Sequence, residues 1–498
     1  MVAALAASYA PSFSAPFLAY DDRWLIVDNP WLRGPGAQSV WHFFVDLSPA
    51  TRIQLGAEYL PLRDTLVWLE ARAFGVSPLP MHVVSVLMFA AAVLLLRDTL
   101  RRVWGPGLGT ELASWLFALH PMHAESVCWL AGQKDLLALL FVTAALHAHA
   151  RDTPHSRAWV PVLAVLACLA KSMAVVVLPL LWLQDVVLQR RPRAWVASAT
   201  TLVVLSCLLV QVHVGRLVGM VGSPLGGSRY HALISMGPVW LRYLQQSLWP
   251  SGLSIVYDVP PLHAWDLRAL LGYGVLSTWL VIGVLRARRG ACLVLFSWAW
   301  FVVPLAPVAQ VLVPLQNAMA DRYLWLSLLG PALLLAHALA NAQTSPRRGA
   351  SRATTLVAGA MCVVLAGLTF ERSVVFADEA LLFTEATLRT HDSPRAPYQL
   401  GMALLAGDDM RGAEGAFREV LRRSPRGPVE VARRATNNLA KLLAASGRAV
   451  EAEALLIAGI ARFPHDAKMR RNLHKLRGGS NEANAPAAGA ANEPLLGE

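Results

Sequence analysis

The segment YDDRWLIVDNP contains two adjacent carboxylates, Asp21 and Asp22, directly after a largely apolar stretch at residues 1–20. A carboxylate at the depth of a membrane interface can take a proton from a hydroxyl or hold a metal ion beside a lipid-borne substrate. The alternative is that the two acids only mark the point where the chain enters water. Both interpretations stay open here, and Asp21 or Asp22 is the candidate catalytic base.

A second group of polar side chains lies in the segment LHPMHAESVCWLAGQKDLLALL, between two apolar stretches. Glu125 is its candidate catalytic residue, and the candidates for substrate binding are His120, His123, Lys134 and Asp135. Pro121 suits the first turn of a helix, which predicts that His123 and Glu125 lie near the surface. A divalent metal held by His120, His123 and Glu125 is conceivable, but their spacing matches no zinc pattern, so roles in positioning an acceptor are favoured.

Two further cations stand at the ends of apolar stretches. Lys171 occupies a connection of almost no length, and Asp321, Arg322 and Tyr323 open another apolar stretch. Isolated cations at this depth usually extend to lipid head groups. On a face that also bears carboxylates they could instead hold a lipid phosphate, because charge-assisted bonds to phosphate are strong. The candidates for substrate binding in these segments are therefore Lys171, Asp321, Arg322 and Tyr323.

These residues belong to a chain that is far too apolar for a soluble fold. Of its 498 residues 55% are hydrophobic and only 15% are charged, whereas globular domains hold about 25% charged residues. Stretches long enough to cross a bilayer recur through residues 1–371. The composition therefore predicts an integral membrane protein and excludes a soluble enzyme and a disordered scaffold.

The net charge of +12 is concentrated in this membrane part. Residues 372–498 hold 18 lysines and arginines against 15 acids, so they contribute +3 and residues 1–371 contribute +9. The arginines form tight clusters between apolar stretches, as orientation signals do, and no basic stripe interleaved with aromatic residues is present. The lipid bilayer is therefore an expected partner, and nucleic acid is not.

Eleven membrane spans are predicted, beginning with a short first helix at residues 1–20. The other ten are expected at residues 80–97, 108–120, 134–150, 158–171, 173–189, 194–213, 269–286, 291–313, 323–341 and 353–371. A cytoplasmic N-terminus then places every arginine cluster on the cytoplasmic side, as the positive-inside rule requires. The long connections at residues 21–79 and 214–268 become external loops, so the chemistry is expected outside.

The apolar stretch at residues 232–250 does not span the membrane in this arrangement. Gly237-Pro238, Trp249-Pro250 and Pro260-Pro261 predict that it is broken into pieces, because proline lacks the N–H that a helix needs. Aromatic residues along it suit the membrane–water interface. We therefore expect an interfacial or re-entrant segment within the second external loop.

After Phe370 the sequence changes to a polar, alanine-rich helical pattern that repeats. Leu400, Ala413, Phe417 and Pro425 match Leu439, Ala452, Leu456 and Pro464 at a constant offset of 39 residues. Small residues and a terminal proline are typical of tetratricopeptide helix pairs, whose usual period is about 34 residues. We predict a tetratricopeptide-repeat α-solenoid at residues 372–477 and a disordered tail at 478–498, which has little to bury.

Several stretches resemble those of membrane proteins with C-terminal tetratricopeptide repeats. They are YDDRWLIVDNP, YLPLRD, SPLPMH, LHPMHAESVCWLAGQKDLLALLF, AKSMAVVVLPL, YLQQSLWPSGLSIVYDVP and NAMADRYLWL. Taken in this order they resemble the transmembrane and tetratricopeptide-repeat protein O-mannosyltransferases and, more distantly, the C-type glycosyltransferase superfamily. The stretch that usually reads AERKD in the family reads AGQKD here, so one acid and one base are absent beside Lys134.

The resemblance implies an all-α fold, a polytopic membrane helix bundle of about eleven spans followed by the repeats. It also implies a polyprenyl-phosphate-linked sugar as donor and an inverting transfer. Asp21 or Asp22 would then take the acceptor proton, while Lys171 and Arg322 would stabilise the departing polyprenyl phosphate. No cofactor is certain; a divalent metal ion is the one candidate.

The leading hypothesis is a membrane glycosyltransferase on the outer face of a bacterial inner membrane. It would move a hexose such as mannose to a protein hydroxyl, with periplasmic repeats binding the protein acceptor. The alternative is a non-enzymatic scaffold, in which the membrane part anchors tetratricopeptide repeats that bind protein partners. A transporter is disfavoured because the sequence shows no inverted repeat of broken helices.

Overall fold

The computed structural model describes residues 1–32, 36–219, 222–311, 313–343, 350–424 and 429–478. None of these residues forms a β-strand, and most belong to helices, which confirms the predicted all-α class. Internal contacts divide the chain into two compact units. Unit 1 is Met1–Leu253 with Val259–Ala377, and unit 2 is Ser254–Asp258 with Asp378–Glu498.

Unit 1 consists of α-helices of very different lengths. In chain order they are α1 Val2–Ser8, α2 Gly36–Val45, α3 Pro49–Gln54, α4 Pro61–Phe74, α5 Pro78–Trp104, α6 Leu108–Ala118, α7 Ala124–Cys128, α8 Gln133–Arg151, α9 Pro154–Ala170, α10 Val177–Val187, α11 Ala194–Leu217, α12 Arg229–Leu248, α13 Leu267–Ala287, α14 Leu293–Leu305, α15 Leu329–Gln343 and α16 Ala350–Ala377. Short turns of 3-10 helix join several of them, among them Pro121–His123, Ser172–Val176 and Asp321–Leu324.

Five helical segments within the described residues are long and apolar enough to cross a membrane. They are Pro78–Trp104, Leu130–Arg151, Ala194–Leu217, Leu267–Ala287 and Arg352–Ala377. Shorter apolar helices lie at Pro154–Ala170, Ser172–Val187, Leu293–Val308 and Leu329–Ala342. The chain is thus a multi-pass membrane protein, while eleven spans remain a prediction.

The N-terminal segment is not the continuous helix that the sequence predicts for residues 1–20. Helix α1 ends at Ser8, and a 3-10 turn follows at Ala10–Ser14. Pro11 and Pro16 explain the interruption, because neither can donate the backbone hydrogen bond that would continue the helix. The segment 1–20 is therefore not one continuous helix, and whether it crosses the membrane stays a prediction.

The prediction that Gly237-Pro238 breaks the segment 232–250 is also wrong. Helix α12 runs without interruption from Arg229 to Leu248 and contains Pro238. Gly237 instead marks a close crossing with α13, where a Cβ added at Gly272 would overlap the carbonyl of Gly237. Small residues let two helix backbones approach closely, which is common in membrane proteins. Whether α12 spans or lies at the interface stays a prediction.

Unit 2 contains six further helices, each packed against the next along the chain. They are α17 Glu379–Arg389, α18 Arg395–Ala406, α19 Met410–Arg423, α20 Val429–Ala445, α21 Ala449–Arg462 and α22 Ala467–Leu476. Buried side chains from successive helices form the core, with Phe417 of α19 lying against Gly401 of α18, where a Cβ would overlap its ring. The disordered tail predicted at 478–498 lies, beyond Gly478, outside the described residues.

Candidate active site

The two adjacent carboxylates have different surroundings. Asp22 is 1% exposed, and both of its oxygens accept backbone hydrogen bonds. Its Oδ1 lies 2.7 Å from the N–H nitrogen of Ala131, and its Oδ2 lies 3.0 Å from that of Leu18. Asp22 therefore fastens the N-terminal segment to the turn that precedes α8, which is a structural role.

Asp21 is only partly buried and faces charged groups instead. Its Oδ1 lies 3.4 Å from the indole Nε1 of Trp24. Burial raises the pKa of the Asp21 carboxyl above its ordinary value, although Lys134 and Arg322 lie close enough to oppose that shift. The carboxylate of Asp21 therefore has two cations as neighbours, Lys134 and Arg322.

Arg322 and Glu125 form a pair whose members are 197 residues apart in sequence. The guanidinium Nη1 of Arg322 donates to Oε1 of Glu125, and the backbone N–H of Arg322 donates to Oε2 over 2.8 Å. The guanidinium also lies 5.4 Å from the ring centre of Trp129 and 5.5 Å from that of Tyr323. One guanidinium hydrogen bond and two aromatic rings therefore orient the Arg322 side chain, and the backbone hydrogen bond holds Glu125 against the same residue.

Lys171 and Asp135 form a second buried pair. The ammonium of Lys171 lies 2.5 Å from Oδ1 of Asp135, whose Oδ2 accepts a hydrogen bond from Ser126 over 3.2 Å. The ring centre of Trp325 lies 5.5 Å from the same ammonium. Lys171 is 6% exposed and points at a protein carboxylate, so it does not extend to lipid head groups.

The ion-pair partner of Lys134 is Glu58, a residue that the sequence did not indicate as part of a site. The ammonium of Lys134 lies 2.6 Å from Oε2 of Glu58, which is also 3.4 Å from Nη1 of Arg63. Burial alone would raise the pKa of the Glu58 carboxyl, but Lys134 and Arg63 lower it below the ordinary value. Arg63 in turn lies 2.6 Å from Asp64. The available signal was the YLPLRD stretch, which contains Arg63 and Asp64 and begins directly after Glu58.

The two histidines are buried in different surroundings. The ring of His123 lies between those of Phe89 and Phe117, at centroid distances of 4.9 and 4.6 Å. Nδ1 of His120 accepts the N–H of Met122 over 3.3 Å, which caps the turn Pro121–His123. This turn packs against α16, so the prediction that His123 and Glu125 lie near the surface is wrong.

The turn that carries Arg322 is held from helix α12. The hydroxyl of Tyr243 donates to the carbonyl of Ala320 over 3.1 Å and accepts the N–H of the same residue over 3.0 Å. Asp321 and Tyr323 are both buried in this turn, and the Tyr323 hydroxyl donates to the carbonyl of Asn317. Tyr243 therefore fixes the backbone directly before Asp321 and Arg322.

The structure thus brings most of the predicted site residues into one group of charges. Its members are Asp21, Glu125, Lys134, Asp135, Lys171 and Arg322, with the addition of Glu58. Asp22 supports it through the backbone, whereas His123 packs against two phenylalanine rings and His120 caps a buried turn. Among the residues that the structure describes, no group of three or more His, Cys, Asp or Glu side chains could hold a metal ion.

Comparison with known proteins finds relatives along most of the chain, although no family model matches it. The protein O-mannosyl-transferase F38B6.6 of Caenorhabditis elegans is 24% identical over 430 residues, which cover 82% of this chain and 60% of that protein. Protein O-mannosyl-transferase TMTC3 of Mus musculus is 22% identical over 68% of this chain and 41% of its own length.

A shorter region is more similar to a human protein. Protein O-mannosyl-transferase TMTC1 of Homo sapiens is 32% identical over 146 residues, which are 28% of this chain and 16% of that protein. The chain therefore spans 60% or less of the length of these relatives. The resemblance that the sequence motifs predict is confirmed: over most of its length, this chain is similar to protein O-mannosyltransferases of the TMTC family.

Proposed function

We propose that this chain is a membrane glycosyltransferase that moves a hexose such as mannose from a polyprenyl-phosphate donor to a hydroxyl of a protein. The names of its relatives support sugar transfer to protein. The observation that carries the proposal is the position of Asp21 beside Lys134 and Arg322. A base and two cations side by side are what removal of a hydroxyl proton and departure of a phosphate require.

Asp21 is the general base in this proposal. It removes the proton from the acceptor hydroxyl, and the oxygen attacks the anomeric carbon on the face opposite the phosphate. The bond between that carbon and the phosphate oxygen breaks, and its electron pair leaves with the polyprenyl phosphate. The sugar is therefore inverted, and the leaving group needs no proton because a phosphate ester is a stable anion.

Arg322 is the principal contact for the donor phosphate. A guanidinium carries five N–H groups and can hold two oxygens in parallel, so Arg322 can bind phosphate while Glu125 keeps it oriented. Lys171 adds a second positive charge near Arg322 and is held in place by Asp135. Lys134 plays the same supporting role through Glu58. The ion pairs thus keep the cations aligned before the donor arrives.

The donor contact can be tested with the full chain in lipid nanodiscs and a polyprenyl-phosphate-linked radiolabelled mannose. Arg322→Ala removes a charge-assisted bond, which should weaken donor affinity roughly ten- to a hundredfold, or about 1.5–3 kcal/mol. Arg322→Lys keeps the charge, so its donor affinity should lie between that of Arg322→Ala and that of the unchanged chain. Arg418→Ala, an exposed arginine of unit 2, is the control and should leave the donor dependence unchanged.

If folded Arg322→Ala and Lys171→Ala both depend on donor concentration as the unchanged chain does, the assignment of these residues to donor binding is contradicted. Thermal unfolding of each variant shows whether the protein tested is folded. Transfer from a sugar nucleotide, with no transfer from the polyprenyl-linked donor, would show that the donor is a sugar nucleotide and not a polyprenyl phosphate.

The proposal also places the site on the outer face of a bacterial inner membrane, with unit 2 in the periplasm as a tetratricopeptide-repeat domain that binds the protein acceptor. The arginine clusters between the apolar stretches support this orientation. A reporter fused after Leu400 should then behave as periplasmic. Cytoplasmic reporter activity would mean that the number of spans is even, and that the repeats cannot meet acceptors at the site.

A further inference from the structure

Two histidine rings of unit 1 lie against each other where helix α12 begins. The ring centres of His231 and His263 are 4.8 Å apart, and the ring planes meet at 81°. His231 belongs to the first turn of α12, and His263 is an exposed residue in the segment that precedes α13. The two rings come from different elements, so the fold is what brings them together.

A backbone carbonyl fixes the ring of His231. Its Nδ1 lies 2.8 Å from the carbonyl oxygen of Gly226. A carbonyl only accepts hydrogen bonds, so Nδ1 carries the hydrogen and Nε2 keeps its lone pair. Metal-binding histidines are commonly oriented in this way, through a bond from the other ring nitrogen to a carbonyl or a carboxylate. His231 therefore presents Nε2 as a potential metal ligand.

The close approach of Gly226 to His231 depends on glycine. Gly226 has a φ of 72°, a region that favours glycine. A Cβ added to it would lie 2.7 Å from the Cβ of His231, which is too close for two carbon atoms. The turn before α12 is therefore shaped so that its carbonyl reaches the histidine ring.

The segment that carries His263 is tied to the same turn of α12. The N–H of Leu262 donates to the hydroxyl of Ser235 over 2.7 Å, and this hydroxyl donates to the carbonyl of His231 over 2.6 Å. The prolines Pro260-Pro261 restrict the backbone just before it. One hydroxyl thus joins the backbone of His231 to the residue next to His263, and the separation of the two rings is set by the fold.

The separation of the ring centres suits a shared metal ion. An ion about 2.1 Å from one nitrogen of each ring lies about 3.2 Å from each ring centre, so tetrahedral geometry puts the two centres about 5 Å apart. Imidazole is a preferred ligand of Zn²⁺ and Cu²⁺, whereas Ca²⁺ and Mg²⁺ prefer oxygen. Among the residues that the structure describes, no third His, Cys, Asp or Glu completes such a site, so water would fill the other positions.

We propose that His231 and His263 form a binding site for a divalent transition-metal ion, Zn²⁺ or Cu²⁺. Each ring gives one nitrogen to the ion, which joins the start of α12 to the segment before α13. The site shares no residue with the group of charges around Asp21. Its test needs no sugar transfer, so it stands or fails independently of the proposed function.

The test uses the full chain in nanodiscs, purified without a polyhistidine tag and titrated with Cu²⁺ or Zn²⁺ alone. We expect the electron paramagnetic resonance of one bound Cu²⁺ per chain to show coupling to two nitrogens. His263→Ala should reduce this to one nitrogen and weaken the affinity for either ion about a hundredfold, because the second imidazole binds within the same molecule. His263 is exposed, so its replacement leaves the fold intact.

A second measurement is thermal unfolding. An ion that binds only the folded chain stabilises it, so saturating Zn²⁺ should raise the unfolding temperature of the unchanged chain but not that of His263→Ala. The matched control is His155→Ala, which removes another exposed histidine, one that accepts a hydrogen bond from Trp159. It should bind both ions as the unchanged chain does.

Two results would overturn the proposal. One is equal ion affinity in His231→Ala, His263→Ala and His155→Ala, because the ions would then bind exposed histidines without preference. The other is coupling of Cu²⁺ to a single nitrogen in the unchanged chain, because the two rings would then share no ion and their contact would be aromatic only.

Discussion

The ion pairs around Asp21 in unit 1 differ in sequence separation and burial from the ion pairs that lie along single helices in unit 2. In unit 1, Arg322 and Glu125 are 197 residues apart, and Lys134 and Glu58 are 76 apart. In unit 2, pairs such as Arg418–Glu414 join residues three or four positions apart on one helix. Glu125 is 1% exposed, whereas the side chain of Arg418 is 51% exposed.

The difference separates ion pairs that support a helix from those that shape a site. A local exposed pair adds only a few tenths of a kcal/mol to its own helix and needs no tertiary structure. Burial removes water from both charges of an ion pair, and the attraction between them offsets little more than this desolvation cost. A buried pair therefore adds little to stability. The long-range pairs of unit 1 therefore make sense as devices that hold cations beside Asp21.

The largest effect should come from breaking the Arg322–Glu125 pair. Glu125→Ala leaves the Arg322 guanidinium without its carboxylate, which should cost about 3–5 kcal/mol of unfolding free energy. The measurement is thermal or denaturant unfolding of the full chain in detergent. A loss below about 1 kcal/mol would mean that the pair is screened like a surface pair, and the contrast between the units would not hold.

A smaller effect is expected at Asp22. Asp22→Ala removes the acceptor of two backbone N–H groups, those of Leu18 and Ala131, and each buried donor left unpaired costs about 1–3 kcal/mol. Asp21→Ala, the adjacent change, should destabilise the chain less because the hydrogen bond described for the Asp21 side chain is long, at 3.4 Å. Equal unfolding temperatures for the two variants would contradict the assignment of Asp22 to structure.

The pH dependence of transfer should report Asp21. Its pKa is raised in the folded chain, so the base becomes ionised, and transfer appears, only as pH rises above the ordinary aspartate range. The same shift makes its contribution to folding stability fall as pH rises between the unfolded and the folded pKa. The acid limb of kcat/KM should lie above the ordinary aspartate pKa and move higher in Lys134→Gln, because Lys134 opposes the shift.

Arg411→Gln is the control for this profile and should leave the acid limb where it is. An acid limb at or below the ordinary aspartate pKa, unmoved by Lys134→Gln, would assign the base to another group.

The smallest effect is expected in unit 2. Arg418→Ala breaks a pair four residues apart on α19 and should cost about 0.2–0.5 kcal/mol, an amount that shrinks further at high salt. Differential unfolding at low and high salt measures it. A salt-independent loss of several kcal/mol would show that the exposed pairs of unit 2 are more than helix supports.

The sequence allows the charged group of unit 1 to be predicted because its members stand at the ends of apolar stretches. Glu125 and Arg322 were both named as site residues, although nothing local shows that they meet. Glu58 was missed for the same reason: its partners Lys134 and Arg63 reach it only through the tertiary fold. Pairing across long separations depends on packing that local patterns do not encode.

The wrong predictions have a common cause as well. Pro121 predicts that His123 lies near the surface, but His123 is buried, and the rings of Phe89 of α5 and Phe117 of α6 lie 4.9 and 4.6 Å from its own. Gly237-Pro238 was interpreted as a break, but the glycine serves a helix crossing that only the partner helix α13 explains. In each case the deciding residue comes from another element.

The most direct test of the account compares transfer by Asp21→Asn and Asp22→Asn in the same nanodisc assay. Asparagine keeps the shape of the side chain but cannot accept the hydroxyl proton. The account predicts that Asp21→Asn unfolds at the normal temperature and transfers no sugar. Asp22→Asn should unfold at a lower temperature and still transfer sugar in its folded fraction. Transfer at the normal rate by Asp21→Asn would contradict the central claim.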